Sequence, residues 1–184
     1  MHTFSLRSLL VALAIALPMA ASAPAFAASK ADLESSSKAA LNQLVSQNPG
    51  AKALNAKAVA VLVFPTVTKA GFMVGGQFGE GVLWRKGKPV GYYNTAGASY
   101  GLQAGAQQYG YAMFFMNQKA LDSLNSTQGF EVGVGPSVVV VDSGMAKSVT
   151  SGTLTEDIYA FIFSQKGLMA GVGIQGNKIT SIKK

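Results

Sequence analysis

The chain has 184 residues, 15 basic and 8 acidic side chains, a net charge of +7, 21 glycines and no cysteine. No disulfide framework and no lipid-anchoring cysteine can form, so stability must come from packing. The one histidine is His2, which leaves the rest of the chain without a His/Cys zinc set, a Ser-His-Asp triad or a Cys-His pair.

The first 27 residues read as a secretory leader. Arg7 precedes an unbroken apolar run, Leu9 to Leu17, which is too short to span a bilayer. Pro18 ends the run, and Ala25-Phe26-Ala27 fits the small-x-small cleavage pattern, with cleavage before Ala28. Arg7 is the only base in this segment, and every acid lies beyond it. Residues 28–184 therefore keep a strong positive balance, which favours anionic surfaces such as phospholipid headgroups. The expected location is periplasmic or secreted, including peripheral attachment at an outer membrane.

Beyond the leader, Ser29 to about Gln47 has helical spacing at Leu33, Leu41, Leu44 and Val45, with Ser29 and Asp32 as a capping pair. Asn48-Pro49-Gly50 ends it, and a short second helix is expected over Ala51 to Lys57. Val59 to Phe64 is a continuous apolar run that reads as a buried strand closed by Pro65. Phe72 to Trp84 is extended and rich in glycine. Arg85-Lys86-Gly87-Lys88 reads as the turn of a hairpin whose return begins at Val90 to Tyr93. Further strands are expected at Tyr109 to Met116, Phe130 to Val134, Val138 to Val141, Ile158 to Phe163, Leu168 to Gln175 and Lys178 to Ile182. A short helix capped by Asn117 covers Gln118 to Leu124, and Gly176-Asn177 suits a tight hairpin turn. The expected class is α+β: one domain over 28–184, with a mainly antiparallel, glycine-rich sheet or barrel-like core, an N-terminal helix and short additional helices.

Gly97, Gly101 and Gly105 would share one face of a strand and leave it bare. Close packing of another group is the expected use, ahead of a ligand groove. Gly171 to Gly176 matches GxGxxG, but too little chain follows to build a dinucleotide-binding unit. Glu156-Asp157, the one adjacent acidic pair, reads as a solvated turn before a strand. Basic residues cluster better. Lys52, Lys57, Lys69, Arg85, Lys86 and Lys88 are the candidate lipid-binding residues, and Lys38, Leu41 and Leu44 belong to a helix that either contacts the membrane or, as its narrow leucine face favours, covers the sheet.

Longer motifs carry a resemblance. The run VLVFPTVTKAGFMVGG from Val61 to Gly76, AGASYGLQAGA from Ala96 to Ala106, VGVGP from Val132 to Pro136 and SQKGLMAGV from Ser164 to Val172 together resemble the SYLF family, across roughly Ser35 to Ile182. The resemblance implies a lipid-binding module rather than an enzyme. Eukaryotic members are described as binding phosphoinositides, and some fungal ones also bind actin. Membrane contact in the family involves an amphipathic N-terminal helix and a basic surface. By position, Lys69 falls on the lysine of the family signature, and Ser29 to Val45 occupies the place of the amphipathic segment.

The expected function is recognition of anionic phospholipid through basic residues and glycine-rich turns, with no metal, cofactor or nucleic-acid partner. A small outer-membrane β-barrel, or a structural envelope protein, is the alternative. A carboxylate-based hydrolase would need two convergent acids.

Overall fold

The computed structural model describes residues 28–126, 129–141, 155–167 and 176–184. The leader, the whole of the expected strand Leu168 to Gln175 and most of the GxGxxG match lie outside the described residues.

Two helices come first: α1, Lys30–Gln47, and α2, Pro49–Lys57. Ser29 caps α1 by accepting from the Asp32 backbone N–H at 3.2 Å, and its hydroxyl donates to the Asp32 carboxylate at 2.6 Å. Asn48 serves both helices. It ends α1, and its side chain accepts from the Ala51 N–H at 3.0 Å, with Pro49 in the first turn where no amide is needed.

The centre of the fold is one long hairpin, β1 (Ala60–Arg85) and β2 (Lys88–Phe115). The sequence suggested a break at Pro65 and separate short strands. Instead each arm is continuous, and the irregularities are absorbed as register shifts at Phe64/Val67, Phe72/Val74 and Leu83/Trp84. A proline is tolerated at such a bulge because its missing amide falls where the ladder is already interrupted. The remaining elements are α3 (Gln118–Ser123), β3 (Phe130–Glu131), β4 (Val138–Val141), β5 (Ile158–Gly167) and β6 (Lys178–Ile182). β3 is shorter than expected, because Gly133 and Gly135 take positive φ and turn the chain away.

β2 pairs with β1 along one edge. Its other edge is shared, with β6 on Tyr92 to Ala96 and β5 on Gln107 to Phe115. All pairings are antiparallel except β4 with β5. The hairpin curls back on itself. A methyl group placed on Gly81 would lie 2.7 Å from the Phe64 ring, although both belong to β1, and one on Gly71 would fall on the Cα of Gly75. Glycine is required at these close approaches. The result is an α+β fold with a curled, mostly antiparallel half-barrel sheet.

Alternation along the hairpin divides the core in two. Leu62, Phe64, Tyr109, Tyr111, Met113 and Phe115 fill the concave side, closed by Leu121, Leu124 and Phe130. Val61, Val63, Val82, Trp84, Ala112 and Phe114 project to the convex side, where Leu33, Leu41, Leu44 and Leu54 of the two helices cover them.

Candidate basic groove and hairpin tip

The N-terminal end of α1 is fastened to the sheet by polar contacts. Tyr92 donates its hydroxyl to Glu34, and Lys30 lies 5.5 Å from the Tyr92 ring centre. The hydrogen bond to Glu34, with burial and the carboxylate's charge behind it, pushes the Tyr92 hydroxyl up to about 12. One turn further on, Ser37 is buried among the leucines. Its hydroxyl accepts from Trp84 Nε1 at 2.8 Å and lies 3.4 Å from the Val63 carbonyl. A serine is needed in this apolar stripe because the buried indole N–H requires an acceptor.

Beside this stretch of α1 a groove opens, with a volume of about 430 Å3. One wall is Lys38, Leu41, Asn42 and Val45, a single helical face by spacing. The second wall is Asn55 and Ala56 of α2 with the segment Ala58 to Val61. Trp84, Arg85, Lys86 and Gly87 at the hairpin tip form the third. The lining is as polar as it is apolar, with Leu41, Val45 and Trp84 among its apolar side chains, and it carries three cations, Lys38, Arg85 and Lys86, and no carboxylate. Lys38 Nζ sits 4.9 Å from the Trp84 ring centre, a cation–π contact that holds the charge at the mouth. Arg85 donates to Gln118 Oε1 at 3.1 Å, and Gln118 is bonded in turn to Asp122 at 2.7 Å.

The tip is a two-residue turn. Lys86 has φ 50° and Gly87 φ 75°, the pair of positive values that suits the twist of a tight hairpin. Residues 85–90 are all exposed.

The expected site residues therefore divide. Arg85, Lys86 and Lys38 meet in the groove. Lys88 is exposed and pairs with Arg85 across the turn. Lys52 is exposed one helical turn before Ala56, on the groove side of α2, and Lys57 is exposed at that helix's end. Lys69 does not join them. It shares the face of β1 that Val67 occupies and is 5% exposed, opposite the buried Gln107. Leu41 and Leu44 are buried beneath the convex face, so neither presents a free apolar surface in this state.

A second polar constellation lies inside the half-barrel, and no local pattern of residues announces it. Tyr109 donates to Gln77 Oε1 at 2.6 Å, Gln77 Nε2 donates to Asn177, and Tyr111 donates to Thr95 at 2.8 Å. Burial pushes the Tyr109 hydroxyl up to about 12, partly opposed by Asn177, and raises that of Tyr111 further. The place where a Gly97 methyl would sit is taken by the Asn177 side chain, so this bare position serves close packing.

The acidic pair Glu156-Asp157 is used locally. Asp157 accepts from Asn117 at 2.8 Å, and the Glu156 amide donates to Tyr159 Oη. No group of three or more metal-ligating side chains occurs among the described residues, and no described helix is long and apolar enough to cross a membrane.

Comparison with known families gives one match. Residues 96–184 fit the family described as Ysc84, Las17-binding protein actin regulator. The match begins within β2, so the helices, β1 and the hairpin tip precede it. No curated protein matches the chain.

Proposed function

We propose, from the match of residues 96–184 to the Ysc84 (SYLF) family, whose members are non-enzymatic binding modules known for lipid binding, that this protein is an exported module that binds anionic phospholipid surfaces. The observation that carries the reading is the convergence of Lys38, Arg85 and Lys86 around a groove of mixed polar and apolar lining that no carboxylate lines. Lys88, Lys52 and Lys57 extend the basic surface on either side. A phosphate at the groove mouth would face several cations, while the apolar part of the lining accepts the adjoining carbon chain. The alternative of a membrane-spanning barrel has less support. The convex face is sealed by α1 and α2, where a barrel in lipid presents a bare apolar band.

Exposed bases near an anionic membrane contribute on the order of 1 kcal/mol each. The triple variant R85Q/K86Q/K88Q should therefore lose about 3 kcal/mol, roughly a hundredfold in affinity for phosphatidylglycerol vesicles, and the loss should shrink as salt rises. Melting should change little, because exposed surface substitutions usually stay within about 0.5 kcal/mol each. Sedimentation with vesicles at two salt concentrations measures it. Binding that is equal on phosphatidylcholine and indifferent to salt would overturn the proposal.

A further inference from the structure

We infer that the hairpin tip does more than attract anionic lipid: it enters the membrane interface, with Val90 as the apolar anchor and Arg85, Lys86 and Lys88 held at the phosphate level around it. This rests on the lipid-binding reading above and adds the depth and the orientation of the contact.

Three observations lead to it. Trp84 pairs with Pro89 and Leu83 with Gly91, which leaves Val90 as the extra residue of a bulge. A bulge re-aims its side chain, and Val90 is 55% exposed although its strand neighbours are engaged in the sheet. The turn beside it holds a lysine, Lys86, at positive φ, a conformation that non-glycine residues adopt only at a cost. Two local irregularities thus coincide at the hairpin tip, where residues 85–90 are exposed.

The surroundings of Val90 separate it from ordinary surface apolar residues. The other large apolar side chains that stand exposed among the described residues are Val74, Phe78, Val134 and Val140. None has a lysine or arginine within three positions, whereas Val90 follows Lys88 by two and stands beside a turn with two more cations. An apolar point beside a cluster of cations complements a surface that is anionic outside and hydrocarbon inside. A protein partner of ordinary composition would have to leave some of those charges unpaired.

The chain has no cysteine, so a single introduced one is a unique attachment point. V90C carrying an environment-sensitive nitrobenzoxadiazole label should blue-shift on phosphatidylglycerol vesicles and be quenched by acyl-chain nitroxides. The same label on V134C, far from the tip in sequence, should stay in water. V90Q should bind about five-fold more weakly, and this deficit should persist in high salt, because it removes apolar transfer and not charge. A label at 90 that stays solvated, while vesicles still sediment the protein and R85Q/K86Q/K88Q still weakens it, would overturn insertion and leave the lipid-binding reading standing. Failure of the parent protein to sediment with these vesicles would overturn both.

Discussion

At the residue scale, the glycines illustrate how local sequence meets distant structure. The spacing of Gly97, Gly101 and Gly105 predicts a bare strand face, and close packing at Gly97 is what the fold supplies. The occupant is Asn177, which arrives from β6's end of the chain and whose identity no local pattern could reveal. Gly97→Ala should push Asn177 out of its seat beside Gln77, leaving buried amide groups unpaired and the concave core overfilled. Each effect typically costs about 1–3 kcal/mol. A total of about 2 kcal/mol or more should lower the melting temperature by at least about 4 °C. A variant melting within a degree of the parent would mean that Asn177 does not occupy this space. Ser37 makes the same point in the other direction. It reads as a weakness in a helix, yet its hydroxyl is the partner of the single tryptophan.

At the scale of elements, the helices were legible and the strand lengths were not. Helix ends are written locally, by Ser29, Asn48, Pro49 and Asn117, and the structure uses all four. Strand ends depend on whether a neighbour continues the ladder. Pro65 and the glycines look like breaks, but β2 runs alongside throughout and carries the pairing past them. The basic tip was readable because a turn and its charges are contiguous. The burial of Lys69 was not, since it depends on which face of β1 curls inward. The same uncertainty surrounded α1, whose leucines could serve lipid or sheet. They lie under the convex face, so Leu41→Ala should cost about 2–4 kcal/mol. Chemical denaturation checks this, and an unchanged midpoint would show that α1 is not a cover for the sheet.

For the molecule as a whole, the tyrosines set the alkaline limit of stability. Tyr92, Tyr93, Tyr109 and Tyr111 all have raised pKa values. Tyr92 is held mainly by its bond to Glu34, and the other three by burial. In the unfolded chain these hydroxyls lose their protons near pH 10. Between about 10 and about 12 the folded state therefore binds more protons than the unfolded one, and stability falls as pH rises. Below 10 these groups contribute fully and no tyrosine-linked change should appear. Melting curves from pH 9 to 12, with tyrosinate absorbance followed in parallel, provide the measurement. Titration of all tyrosines near 10 with no loss of stability would contradict it.

The sharing of β2 has one more consequence, for the passage of solvent through the structure. From Tyr111 to Phe115 this strand is bonded to β1 on one edge and β5 on the other, with one core on its concave face and the second on its convex face. No fraying end, loop or single helix release uncovers it. Exchange of its amide hydrogens with water then requires both cores and both neighbouring strands to part together, which makes this stretch the place where local opening and global unfolding become the same event.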